Sequence, residues 1–116
     1  MSTVSFKCES ELEAQVVANA VNRYHHILRQ RGLSPESYSP YPEGSGVILD
    51  WADVKAAARS MSGGTVTGMS VHMARAIREA LLDKEKNGND ADFSAIAGKL
   101  ASRFTSEIWW SETGRQ

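Results

Sequence analysis

The sequence predicts a helix-rich α+β fold. A small antiparallel sheet of two or three strands packs against a long N-terminal helix, and three further helices follow. Three observations carry this reading. Val4, Phe6 and Cys8 alternate with Thr3, Ser5 and Lys7, the period of a half-buried strand. Between Ser10 and Arg31, Leu12, Val16, Val17, Ala20, Val21, Tyr24, Ile27 and Leu28 recur at helical spacing. They form a stripe over about half the helix circumference, which needs a partner surface. Phe93, Ile96, Ala97, Leu100, Ala101, Phe104 and Ile108 make a second clean stripe near the end of the chain.

Each element has local support. Ser10 is an N-cap and Glu13, three residues on, completes a capping box. Glu9 and Glu11 suit the positive end of the helix dipole, and Gly32 stops the helix after Arg29 and Arg31. Pro35, Pro40, Pro42, Gly44 and Gly46 exclude a helix over 33–46. This segment reads either as a plain loop or as a hairpin. In the hairpin, Tyr38–Tyr41 is a poor edge strand, Pro42–Gly46 the turn and Val47–Trp51 the partner strand.

Asp50 and Asp53 mark the next helix start, with Val54, Ala57, Ala58 and Met61 as its apolar face. Ser62, Gly63 and Gly64 end it, and Gly68 extends a flexible or tightly turned link over 62–69. Ser70 caps a third helix to about Lys86, burying Met73, Ala74, Ile77, Ala80 and Leu81. Asn87-Gly88-Asn89-Asp90 closes it, and the last helix starts at Asp90 or Asp92. Residues 111–116 are expected to fray.

The chain of 116 residues is 41% hydrophobic and 23% charged, a balance expected of one globular domain spanning 1–116. A net charge of −1 gives no global pull toward nucleic acid or anionic membrane. A single cysteine, Cys8, excludes an intramolecular disulfide and fits a reducing compartment. No apolar run approaches the ~18 residues that span a bilayer. Residues 1–8 lack the pattern of a secretory signal, so a cytoplasmic location is expected.

No chemistry-bearing motif stands out. His25 and His26 are adjacent, point about 100° apart on a helix and have no His, Cys, Asp or Glu four residues away. Both fall on or near the solvent side, and His72 falls in an exposed first turn, so no metal is expected. Cys8 lies on the apolar face of its strand, and no serine occupies a Gly-x-Ser-x-Gly elbow. Helix capping accounts for the carboxylate pairs Asp50/Asp53 and Asp90/Asp92. Residues 62–68 lead into a helix N-terminus as a phosphate cradle would, but lack the Gly-Lys-Ser/Thr of a P-loop and serve equally as a linker. Neither a cofactor nor catalysis is therefore expected.

Nucleic-acid binding through the helix 70–86 is the competing idea, because it carries His72, Arg75, Arg78, Lys84 and Lys86. The link before it exceeds the three or four residues, roughly, of a helix-turn-helix turn. Glu79, Asp83 and Glu85 also dilute the basic face.

The surface offers a different candidate. On an unbroken last helix, Trp110 lies about 110° and Trp109 about 150° from the centre of the apolar stripe. Both rings would then face water or a partner, as interface anchors do. The alternative is that the helix stops near Ile108 and folds a Trp back onto the core. Arg75, Arg78 and Leu82, with Val71, form a second mixed face on the third helix. The expectation is a small non-enzymatic interaction or regulatory protein, binding a protein partner or a second copy of itself. Small accessory and inhibitory proteins of phages and mobile elements share this profile.

Overall fold

The computed structural model describes residues 3–41 and 46–113. The architecture is α+β, about 70% helical, with four helices and a two-stranded antiparallel sheet. Strand β1 (Thr3–Lys7) turns Val4 and Phe6 into the core, as the alternation predicts, and Cys8 follows them. Helix α1 (Glu11–Gln30) begins at the Ser10 cap, whose hydroxyl accepts the Glu13 N–H at 3.2 Å. The reciprocal arm of the box reaches one residue further back than expected. Glu13 accepts the N–H of Glu9, at 2.8 Å, and so ties the helix start to the end of β1. At the other end Gly32 adopts a φ of 73°, and the Leu33 N–H reaches back to the Leu28 carbonyl at 2.9 Å. This is a Schellman-type stop, in which the left-handed residue satisfies carbonyls the helix leaves open.

Helix α2 (Trp51–Ser60) is capped by Asp50, whose carboxylate accepts the Ala52 N–H at 2.9 Å. Strand β2 (Thr65–Ser70) leads directly into α3 (Val71–Asn87). Helix α4 (Ala91–Glu112) starts at the Asp90 cap, with the Phe93 N–H donated to its carboxylate at 3.0 Å.

Two expectations about the sheet are overturned. Residues 62–69 are not a flexible link: Met61–Gly63 form a 3₁₀ turn, and Thr65–Ser70 pair with β1. Val4 opposes Met69 and Phe6 opposes Val66, so one extra residue of β2 is absorbed between the pairs. Gly68, with φ of 70°, supplies the left-handed conformation that such a bulge favours. The glycines that read as punctuation are a turn and a bulge, and the β-branched Thr65, Val66 and Thr67 make the strand. Residues 47–51, in turn, are not a strand. Tyr38 and Leu49 make one isolated bridge, with hydrogen bonds of 2.8 and 2.6 Å. Trp51 belongs to the first turn of α2, and 42–45 of the expected turn lie outside the described residues.

Helix α1 packs on α2, α3 and α4, and α3 and α4 form an antiparallel pair. Trp51 is fully enclosed where α1 meets α2. Its indole N–H donates to the Val21 carbonyl at 2.9 Å, and the rings of Tyr24 and Tyr38 stand 5.4 and 4.9 Å away. Phe6 stacks on Phe104 at 3.9 Å, which fixes the sheet to α4. Arg103 covers this stack and binds both the Glu13 carboxylate and the Lys7 carbonyl, at 2.9 and 2.6 Å. Two stripe assignments are corrected as well. Leu12, at the first turn of α1, is exposed and lies outside the buried stripe. Val71 is buried rather than on the outer face of α3, because β2 delivers it into the core immediately after the buried Met69. Among the described residues, no helix is long and apolar enough to cross a membrane.

Candidate functional site

The stripe from Ala97 to Ile108 is buried against the rest of the fold, so the register of α4 is set before its last turn is reached. The helix does not stop at Ile108. It runs to Glu112, and Thr113 closes it by donating its N–H and hydroxyl to the Trp109 carbonyl at 2.9 and 2.8 Å. The expected fraying from 111 is thus corrected: Ser111 donates its hydroxyl to the Thr3 carbonyl at 2.9 Å, while 114–116 lie outside the described residues. Continuous helix in this register carries both tryptophans away from the core. Trp109 is 56% and Trp110 46% exposed, and the two rings pack edge to face at 4.9 Å.

The last turn of α4 is anchored on two sides, by β1 through Ser111 and by α3 through Glu112. Both Glu112 oxygens accept from one terminal nitrogen of Arg75, at 2.6 Å. Glu112 holds the Arg75 guanidinium more firmly protonated, against the opposing effect of partial burial. Arg75 also covers the Tyr41 ring at 5.1 Å, and the Tyr41 hydroxyl is 2.9 Å from His72 Nδ1. His72 is therefore half-buried and hydrogen-bonded rather than an open first-turn residue.

Arg78 and Leu82 follow Arg75 at spacings of three and four residues, along one edge of α3. The Arg75–Glu112 pair fixes that edge beside the last turn of α4. Leu82 is 40% exposed, and the Arg78 Nε is enclosed without a hydrogen-bond partner among the described residues. Of these three, Arg75 is joined directly to the last turn of α4, the turn that carries Trp109. Trp110, one residue on, points further around the helix toward the β1 side. Sequence reasoning missed Glu112 as the partner of Arg75; the helix hairpin that joins residues 75 and 112 is invisible in local spacing.

Three groups that build the core have pKa values raised by burial. Burial pushes the Cys8 thiol up, with the Glu13 carboxylate adding to it, so the thiolate a nucleophile needs is disfavoured. Burial also raises Tyr24 and Tyr38, which pack against Trp51. Among the described residues, no cluster of three or more His, Cys, Asp or Glu side chains is placed to hold a metal ion.

Two of the open clefts among the described residues are lined mainly by polar side chains. One of about 340 Å³ is lined by Ser5, Lys7, Thr65, Arg103 and Glu107, beside the sheet. The other, of about 580 Å³, lies between α1 and the α3–α4 turn and is walled by side-chain amides, Ile27, the Asp90 carboxylate and cations. One of the latter, Lys84, is buried, 7% exposed. The signal for it was present: Lys84 stands seven residues after Ile77 and three after Leu81, within the buried stripe of α3. Comparison with protein-family models, with characterised proteins and with solved structures gave no match, so the functional reading rests on this geometry.

Proposed function

We propose that this chain acts by binding another protein, with Trp109 and Trp110 as the anchor and Arg75, Arg78 and Leu82 beside it. The carrying observation is the pair of half-exposed indoles on a helix end held rigidly from two sides. Exposed tryptophans cost solvation in the free protein and are the residues most often found at the centre of energetic interface clusters. Covering the exposed parts of two indoles removes on the order of 250 Å² of apolar surface. That is about 6 kcal/mol of favourable transfer, before the cost of association. A rigid base also means that little side-chain or backbone order has to be gained on docking.

The nucleic-acid reading finds less support. Arg75 is neutralised by Glu112, Lys84 is buried, and a strand separates α2 from α3 where a helix-turn-helix needs a short turn. The test is the double replacement Trp109→Ser, Trp110→Ser. Sedimentation velocity of the purified protein reads self-association. Affinity capture from the native host, with mass measurement of the intact complex, reads a foreign partner. The variant should fold normally, within about 0.5 kcal/mol of the parent, because both rings are at the surface. It should lose the complex that the parent forms. Unchanged assembly together with unchanged capture refutes the placement.

A further inference from the structure

Another cleft, of about 280 Å³, lies where residues 38–41 meet α1 and α3. Tyr24, Tyr38, Ser39, Pro40, Tyr41 and Glu79 line it. Three phenol rings and a proline ring thus accompany one carboxylate, and the lining residues include no lysine, arginine or histidine. The aromatic walls are held by contacts outside the cleft. Tyr24 and Tyr38 both pack on Trp51, and Tyr38 is bridged to Leu49. Tyr41 is fixed by His72 at its hydroxyl and by Arg75 over its ring.

Glu79 is the one charge in the lining, and the fold gives it no partner. The described residues form neither an ion pair nor a hydrogen bond with its carboxylate, and both oxygens stay open to solvent. Arg75 stands four residues before it, the spacing of a helical ion pair, but Glu112 takes that guanidinium instead. Arg31, whose charge reaches Tyr24, is exposed beyond the end of α1 and does not line the cleft. Burial is the main cause that raises the Tyr24 and Tyr38 phenols, and the Glu79 charge adds to it in both. Carboxylate and aromatic wall are therefore within electrostatic reach of each other.

We infer that this cleft binds a small organic cation, a methylated ammonium group, with Glu79 as its counter-charge and the tyrosines as its cradle. Aromatic rings attract a cation through their quadrupole, and more strongly where water is partly excluded. An anion meets repulsion from the carboxylate. Ring carbons and the Pro40 ring suit methyl groups, whereas a bare ammonium is strongly hydrated and loses more on leaving water. The volume, just below the ~300–1,000 Å³ of most small-molecule sites, fits one such group with a short tail. Neither tryptophan lines the cleft, so the inference does not rest on the proposed protein interface.

The test compares choline with two analogues. One is the uncharged alcohol in which carbon replaces the choline nitrogen. The other is ethanolamine, protonated at neutral pH but without methyl groups. Carbon–proton NMR correlation spectra of the full chain follow the tyrosine rings. Choline should shift the Tyr24, Tyr38 and Tyr41 ring signals saturably, the uncharged alcohol should not, and ethanolamine should bind more weakly. Glu79→Gln keeps the shape of the side chain and should weaken choline binding at least about threefold. Tyr41→Leu removes a ring and leaves the charge, and should weaken it by a similar factor. If the tyrosine variant folds poorly, the glutamate variant decides. No saturable shift with choline, equal binding of either analogue, or an affinity unchanged in Glu79→Gln overturns the inference.

Discussion

Trp51→Phe probes the joint between α1 and α2 most directly. The indole is fully enclosed, donates to the Val21 carbonyl at 2.9 Å, and packs against Tyr24 and Tyr38. Phenylalanine keeps one ring in place and leaves a void of roughly 40 Å³, worth about 1 kcal/mol at the usual cost per unit of cavity volume. The lost hydrogen bond adds about 1 kcal/mol. It costs no more than that, because Val21 is in the interior of α1 and its carbonyl keeps its helical N–H partner. The expected loss is therefore about 2 kcal/mol out of a total on the order of 5–15. With an unfolding entropy of about 2.1 cal/mol/K per residue, Tm should fall by about 8 °C. Urea unfolding followed by far-ultraviolet circular dichroism reads the loss, with an unchanged m-value showing that the end states are the same. Tryptophan emission supplies a second reading. Only the two half-exposed indoles remain in the variant, so its folded spectrum should be red-shifted and more open to acrylamide than the parent's. A loss below about 0.5 kcal/mol, typical of a surface change, or a variant no more open to quenching than the parent, refutes the reasoning.

Other perturbations test separate parts of the structure. Gly88→Ala places a Cβ 2.5 Å from the Lys84 carbonyl, so the α3–α4 turn must shift; a loss of about 1–3 kcal/mol in urea unfolding is expected. Tyr24 and Tyr38 have phenol pKa values raised chiefly by burial. Their contribution to stability is complete below the unfolded value near 10 and is lost as pH rises toward the folded values. Their phenolate absorbance should accordingly appear together with alkaline unfolding, and reversible ionisation in an intact fold would contradict this. His25 is shifted down from 6.5, first by desolvation and then by Lys55, Arg29 and His26. Its Nε2 accepts from Arg29 Nε at 3.0 Å, which only the neutral ring can do. Its contribution is present above 6.5 and is lost as pH falls through the folded value, so its NMR titration midpoint should lie below 6.5.

What was legible in the sequence was whatever local chemistry specifies. Ser10, Asp50, Ser70 and Asp90 cap the four helices because a side-chain oxygen beside free N–H groups needs no distant information. The stripe of α4 and the alternation of β1 are equally local. Strand β2 was not legible, because its partner is about sixty positions away and Gly63, Gly64 and Gly68 dominate the local pattern. Val47, Ile48 and Leu49 kept a hairpin ending at Trp51 open beside a plain loop, although Asp50 signals a helix beginning one residue later. At the candidate site, the outward direction of Trp109 and Trp110 followed from helical angle alone. That their helix stays intact depends on Ser111 meeting Thr3 and Glu112 meeting Arg75, contacts the fold creates.

The Ser111–Thr3 hydrogen bond has a practical consequence for protein engineering. Residues 3 and 111 are neighbours, so a brief glycine-serine bridge from residue 113 back to residue 3 closes the polypeptide into a ring with little distortion. New ends opened at the exposed Arg31–Gly32 corner then yield a circular permutant in which β1 follows α4 directly. A purification tag joined directly at residue 3 or residue 113 is tethered beside the last turn of α4, which carries both indoles, whereas a tag at the opened Arg31–Gly32 bond follows the C-terminal end of α1. Permuted and tagged forms therefore give matched reagents with the aromatic surface uncovered in one and crowded in the other.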